Sequence, residues 1–438
     1  MKLTIAQKLR AKKYKRPNKI LYNLLLTFVV KGLARKYKTK FTRKIDMKQY
    51  KGKQFILVGN HASRADYIFA TLAVGGAHQL NFVVGHNEFY RSHLKLIFNI
   101  ANAIPKKNFV PDMCALRGIN SVIKAGGNIC IFPEGMSSIS GAQQPVAIGS
   151  GKLIKHYNLP VLMIKIKGGY LTNTKYCLTD RPGEVEVELD ELLSAEQVKN
   201  LSADEIASIL DNELYHDDYE WNIEKQISYD CKGKPEYHIE QLLYKCPVCH
   251  KEFVMQGTNK KIACSECGFE VSIDEKYNLT ARKGVKFPAT PTKWFNWERR
   301  MARKEVLDQD FYMKEKVLLG VLPEYEHLKN YATSIHAGEG FLMLTKEGLT
   351  FEGTKHGQPF TFFIESKNLP SYGMCTDASV FYTFAHGGEY YEFTPLESKT
   401  AMKWMLCTEE IHRINGHKWQ NYPWFDYEDI EEGFIKND

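Results

Sequence analysis

Acidic residues are missing altogether from residues 1–45, a stretch that carries fifteen Lys or Arg. The 438-residue chain has a formal net charge of +8, which leaves about −7 for everything after that arm, so the excess basicity is local. A bilayer-crossing run is missing from it too. Ile20 to Val30 is apolar apart from Asn23 and Thr27, but eleven residues fall short of the ~20 a spanning helix needs. No small-residue cleavage site follows, which argues against a secretory signal. Cysteine is sparse, ten in all, and four of the ten are clustered. That distribution excludes a disulfide framework and fits a reducing cytoplasm. Repeats and low-complexity tracts are absent.

What is present suits a folded protein of two or three domains: 44% hydrophobic, 12% aromatic and 25% charged residues over a length beyond one growing core. Basic flanks on both sides of a short apolar segment fit a helix lying in the headgroup region of an anionic leaflet. Residues 1–45 are therefore expected to be a basic, amphipathic membrane-interface segment. A helix docked on the core with a solvated basic face is the plainer alternative, and a nucleic-acid arm is a third.

Residues 46–225 read as an α/β domain. Phe55–Val58, Asn81–Val84, Asn128–Phe132 and Val161–Ile166 are strand-like, with helical stretches at Tyr67–Ala73 and Met113–Ala125. In such sheets, reactive residues sit in loops at strand ends. Two loops stand out. Gly59-Asn60-His61-Ala62-Ser63-Arg64-Ala65-Asp66 follows the first strand, and Phe132-Pro133-Glu134-Gly135 closes the third. A histidine can take a proton from an alcohol, and a carboxylate five residues on can hold its ring in the reactive tautomer. Ser63-x-x-Asp66 is also a capping box, so Asp66 has a purely structural use as well. Gly149-Ser150-Gly151-Lys152 is not a phosphate loop, because its first glycine would fall at Val146 and Leu153 follows the lysine.

Asn60-His61-x-Ser63-x-x-Asp66 followed by Phe132-Pro133-Glu134-Gly135 resembles the glycerolipid acyltransferase family, of the 1-acylglycerol-3-phosphate type, over residues 15–190 or so. The resemblance implies His61 as general base, Asp66 as its partner, and Ser63, Glu134 and Gly135 at the acceptor site. It implies transfer of a fatty acyl chain from acyl-CoA or acyl-carrier protein to a lysophospholipid-like hydroxyl, at the cytoplasmic face of the cell membrane as a peripheral or monotopic protein. No redox cofactor is expected. The chain departs from the family where Thr-Arg-Ser is usual, having Met136-Ser137-Ser138. In the Ile104-Pro105 block, Lys106 or Lys107 would have to supply the positive charge, without an arginine's planar fork. A non-catalytic lipid-binding or scaffold protein with this fold is the alternative function, and a nucleic-acid-associated zinc-ribbon protein a more distant one.

Cys246-Pro-Val-Cys249 and Cys264-Ser-Glu-Cys267 are two knuckles fourteen residues apart, flanked by alternating strands. This spacing reads as a zinc ribbon over 240–275 with a structural Zn²⁺, since four thiolates leave no open position. His250 is expected at the surface. A helical linker is expected over 276–316, with its helix spanning 293–316. Hairpins closed by a helix (Leu396–Ile414) are expected to make a pleckstrin-homology-like, β-barrel-like domain over 317–438.

Overall fold

The computed structural model describes all residues except 1, 148, 376, 397, 418–421 and 438. Apolar, β-branched runs form a seven-stranded sheet from β1 (Lys40–Arg43), β2 (Ile56–Gly59), β3 (Leu80–Gly85), β4 (Ile104–Lys106), β5 (Asn128–Ile131), β6 (Val161–Lys167) and β7 (Glu186–Leu193). The order is β1-β7-β6-β2-β5-β3-β4. The run β6-β2-β5-β3-β4 is parallel; β7 is antiparallel to β6, and β1 parallel to β7. Ile56, Leu57, Val58, Ile129 and Cys130 are buried, as central strands covered on both faces require. One cover includes Ile68 and Phe69 of α4 (Asp66–Val74), packed with Leu57 and Leu162. The other includes Ile119, Val122 and Ile154, packed with Val58. The anticipated strands and helices of this region all form, within one or two residues of their expected ends. The short, basic β1 carried no apolar signal; it pairs with the acidic β7, aided by Lys40–Glu184 and Lys44–Glu188 ion pairs.

The N-terminal arm folds as α1 (Ile5–Ala11) and α2 (Lys19–Leu25), and α2 continues through a π-turn (Leu26–Val30) into α3 (Lys31–Lys36). Tyr22, Leu26, Val30, Ala34 and Tyr37 recur every three or four residues and are buried as one stripe. The opposite side leaves Ile20, Leu21, Leu24 and Phe28 outside, Phe28 being 77% exposed. The helix is thus docked on the core and apolar on its outer face as well. Among the described residues, no helix is long and apolar enough to cross a membrane. Further along lie α5 (Lys95–Ile100), α6 (Met113–Lys124) and α7 (Gly149–Tyr157).

The ribbon is a four-stranded antiparallel sheet of β8 (Met255–Thr258), β9 (Lys261–Cys264), β10 (Glu270–Ile273) and β11 (Leu279–Thr280). After β12 (Lys286–Pro288), the linker helix runs from Pro291 to Leu307, not to 316. Asp308 turns the chain by accepting the N–H of Asp310, and from Met313 a period-two pattern pairs with strands on both sides. The boundary expected at 316 therefore falls inside β13 (Met313–Val321).

The C-terminal sheet adds β14 (Ile335–Leu344), β15 (Gly348–Lys355), β16 (Gln358–Glu365), β17 (Gly373–Met374), β18 (Phe381–Phe384) and β19 (Tyr390–Pro395), all antiparallel. Its order is β16-β15-β14-β13-β19-β18-β17, an open sheet with β16 and β17 at its edges, and no closed barrel forms among the described residues. β20 (Phe434–Lys436) pairs with β12. Ala401–Ile414 is the closing helix, burying Trp404, Met405 and Leu406. One hydrophobic cluster runs unbroken from Tyr170 through Tyr277 and Trp294 to Phe381 and Trp404, joining all three parts. The buried Arg181 guanidinium fastens it, donating to the Tyr176 and Tyr277 hydroxyls and to the carbonyls of Pro235 and Tyr237.

Candidate active site

β2 and β5 are neighbours and end at the same edge of the sheet, which brings the two loops together. The Asn60 amide pins the first loop to β6: its Nδ2 donates to the Ile166 carbonyl, and its Oδ1 accepts the Ile166 N–H, at 2.8 and 2.7 Å. His61 follows, with Nδ1 2.8 Å from Asp66 Oδ2. Asp66 opens α4 and is buried; Ser63 donates to it through its N–H and its hydroxyl. The carboxylate thus ties the loop ahead of α4 to the imidazole; the expected capping box does not form, because the helix starts later than Ser63, with Ala65 at its N-cap and no side-chain cap. Burial raises its pKa, while the His61 contact, and then the Ser63 donors, pull it back. The His61 ring stacks on Phe132 at 4.7 Å and faces a large cavity with 24% of its side chain exposed. With Nδ1 committed to Asp66, Nε2 is the nitrogen left for the cavity.

Glu134 does not line that cavity. It is buried behind the loop, where Oε1 accepts the His61 N–H at 2.6 Å and Oε2 the Gln144 N–H at 2.9 Å. Its role in the structure is to brace the backbone that carries His61, helped by Ser138, whose N–H donates to the His61 carbonyl. Burial pushes the Glu134 carboxyl up to about 8. Gly135 lines the cavity with φ +81°, a left-handed conformation that favours glycine, and its carbonyl accepts from Asn108. The N–H groups of His61, Ser63 and Gly135 are all taken, by Glu134, Asp66 and the Phe132 carbonyl. They are not available as oxyanion donors.

The cavity has a volume of about 1120 Å³, enough for long apolar chains. Its walls are mainly apolar and include Leu25, Val29, Phe82, Ile97, Phe98 and Leu116 from α2, the π-turn, β3, α5 and α6. The lining also carries the cations Arg64, Arg91 and Lys175, close enough for the two arginine charges to act on the lysine. Arg64 Nε donates to Asn173 at 2.6 Å, and Arg91 pairs with Glu88 at 3.2 Å. Lys175 Nζ lies 3.5 Å from the Ser137 hydroxyl, beside the Met136-Ser137-Ser138 loop. Burial, with the Arg64 charge adding to it, lowers the Lys175 ammonium to about 8.

Lys106 also lines the cavity, but its ammonium is spent on the carbonyls of Lys107 and Val110. Lys107 turns away into a separate groove, over the Phe384 ring. The C-terminal sheet completes the lining with Met374, Cys375 and Tyr382. Its leading loop also holds the Arg91 segment, through Leu328 N–H to Tyr90 and Ser92 N–H to Leu328.

None of Arg64, Arg91 and Lys175 stood out as a site residue in the sequence. Arg64 lies within the first motif, which is a signal of a kind. Lys175 follows β6 and lies in neither motif, and only the fold carries it to Ser137.

The four ribbon cysteines converge. Cys246 and Cys267 sulfurs are 3.7 Å apart, Cys249 and Cys264 sulfurs 3.8 Å, and all four lie within 4.8 Å of one another. A tetrahedron with Zn–S bonds of about 2.3 Å has S···S edges of about 3.8 Å, so the residues fit zinc and could hold it. His250 packs against Trp297 and is not part of the cluster.

Residues 38–167 match the family model described as Acyltransferase. The match takes in β1 to β6 and both loops, and identifies an acyltransferase α/β domain in about 30% of the chain. No curated protein matches. Among solved structures, the chain is similar to the 1-acyl-sn-glycerophosphate (LPA) acyltransferase PlsC from Thermotoga maritima. Identity is 20% and the TM-score 0.37, over 47% of this chain and 82% of that one.

Proposed function

We propose that this protein transfers a fatty acyl chain from a thioester, acyl-CoA or acyl-carrier protein, to the hydroxyl of a lysophospholipid-like acceptor. The observation that carries this reading is the His61–Asp66 pair opening on a mainly apolar cavity whose lining includes Arg64, Arg91 and Lys175. An alcohol's pKa lies far above neutral, so its proton must leave as its oxygen attacks. His61 Nε2 takes that proton while the oxygen adds to the thioester carbonyl. Asp66 holds Nδ1–H and stabilises the imidazolium. The C–S bond then breaks, the thiolate recovers the proton from His61, and an ester and a free thiol leave. No acyl-enzyme is required.

Arg64, Arg91 and Lys175 suit an acceptor bearing a phosphate, such as a 1-acylglycerol-3-phosphate. Lys175 beside Ser137 supplies in space the charge that Met136-Ser137-Ser138 lacks in sequence.

Exposed apolar side chains on the elements that wall the cavity support access from a lipid leaflet. Met113 and Leu116 of α6 line the cavity and are exposed, Met113 by 65%, and Ile20 of α2, Phe28 of the π-turn and Leu96 of α5 are exposed on helices that also wall it, Leu96 by 69%. Basic residues of the arm flank them, which suits a peripheral, monotopic position on an anionic cytoplasmic leaflet. The four cysteines would hold a structural zinc that fixes the ribbon between the other two parts.

The test is acceptor-dependent thiol release from a long-chain CoA thioester, comparing a lysolipid phosphate with the uncharged monoacylglycerol. Faster turnover of the phosphate-bearing acceptor is expected. Thiol release that ignores both acceptors would sink the reading.

A further inference from the structure

A second groove, of about 840 Å³, lies between the N-terminal arm and the C-terminal sheet. Six cations line it: Arg10, Lys12 and Lys13 from the arm, Lys107 after β4, Arg117 on α6, and Lys355 at the end of β15. Three carboxylates face them, and two are engaged. Asp112 caps α6 and accepts the Lys107 N–H, while Glu389 holds Lys355 and the Tyr391 hydroxyl. Glu324 is the third. Arg10, Lys12, Lys13 and Lys107 have no ion pair among the described residues. The cations sit against aromatic rings: Lys12 Nζ is 5.2 Å over Tyr14, Lys107 Nζ 5.8 Å over Phe384, and Lys355 Nζ 4.9 Å over Tyr391.

Unpaired cations gathered in a concave, aromatic-floored groove focus a positive potential on whatever enters it. Ligands with several phosphates and a flat base answer both features. The groove also adjoins the first cavity, since Asp112 and Arg117 line both. Most of its walls, residues 6–14 and 321–391, lie outside the segment matched by the acyltransferase family model.

We infer that this groove binds the phosphorylated nucleoside end of the acyl donor, an adenosine 3′,5′-bisphosphate group as in CoA, with the thioester arm passing Asp112 and Arg117 to reach His61. The inference rests on the acyl-transfer reading and selects the nucleotide-bearing donor over the carrier protein. A carrier protein would meet these charges on a protruding surface, whereas here they border a slot between two parts of one chain.

The test uses the full-length protein and adenosine 3′,5′-bisphosphate alone, by calorimetry, so that it does not depend on turnover. The wild type is expected to bind it, and Lys12→Glu or Lys355→Ala to bind it at least about tenfold more weakly. Lys13→Glu, at an exposed position, replaces either variant should it fail to fold. In kinetics, the same variants should raise KM for acyl-CoA at least about tenfold with kcat retained, and leave KM for S-acyl-pantetheine unchanged. Absence of nucleotide binding, or equal affinity in wild type and variants, overturns the assignment. Turnover of acyl-carrier protein that the nucleotide does not inhibit overturns it too, with acyl transfer left standing. Nucleotide binding without any turnover supports the groove and counts against the transfer reading instead.

Discussion

Asp66→Asn isolates the electrostatic half of the proposed base. The carboxylate sits 2.8 Å from His61 Nδ1, and Ser63 fixes its other oxygen through two donors at 3.0 Å. An asparagine keeps its oxygen for those Ser63 donors and turns its NH₂ towards His61. Nδ1 must then accept, so the ring proton moves to Nε2, the nitrogen that has to receive the alcohol's proton. The base is disabled by its tautomer while its position is preserved. The comparable change in a hydrolase triad costs about 10⁴-fold in kcat, or roughly 5.5 kcal/mol at 1.36 kcal/mol per decade. A loss of 10³- to 10⁴-fold in kcat is expected here, with KM for both substrates within about threefold. Stability should change by no more than about 1 kcal/mol, because the Ser63 hydrogen bonds survive and a buried charge is removed. Thiol release from the CoA thioester gives the rate, and thermal melting controls for folding. A folded variant within tenfold of the wild-type kcat would refute the argument that Asp66 sets the tautomer.

Metal analysis should find about one zinc per chain, and Cys264→Ser should lose it and melt lower by about 10 °C, since the ribbon shares its core with the C-terminal sheet; a metal-free wild type with an unchanged melt after chelation would contradict this. Burial raises the folded pKa of Glu134 to about 8, above its unfolded value near 4.5, so the native state holds the extra proton. Stability is then full below about pH 4.5 and falls as pH rises towards 8, by up to about 5 kcal/mol from this group, and Glu134→Gln should flatten that slope. Denaturant unfolding at several pH values checks it; a rising or unchanged slope would be the wrong sign. The Leu24→Asp/Phe28→Asp double variant changes two exposed side chains and should remain folded. Each apolar side chain buried is worth about 1.5–3 kcal/mol, so sedimentation with anionic vesicles should weaken at least about 100-fold, and unaltered binding would rule out that face.

The alternating strands and the two motif-bearing loops were legible because they are local: a β-branched run, a turn, and a polar motif within eight residues. The cysteine knuckles were legible for the same reason, a short fixed spacing tied to one coordination geometry. What escaped depends on contacts between distant segments. Glu134 reads as a substrate-facing residue, yet its carboxyl group turns inward to hold two backbone N–H groups. Lys106 and Lys107 look equivalent as neighbours, but one ammonium is consumed by carbonyls and the other faces a different groove. Lys175 had no motif to announce it. The open C-terminal sheet differs from the expected barrel because closure depends on whether β16 and β17 meet, and strand alternation is silent about edge pairing. The apolar run of α2 was visible as composition; only the fold shows that Tyr22 and Leu26 face inward while Ile20, Leu24 and Phe28 stay exposed.

The most direct measurement is single-turnover acyl transfer from a long-chain CoA thioester to a lysolipid phosphate in vesicles, with wild type and His61→Ala side by side. The account predicts ester formation by the wild type and a loss of at least about 10⁴-fold in the variant, with an unchanged melting temperature and retained lipid binding. A folded His61→Ala protein that forms the ester at the wild-type rate would contradict it.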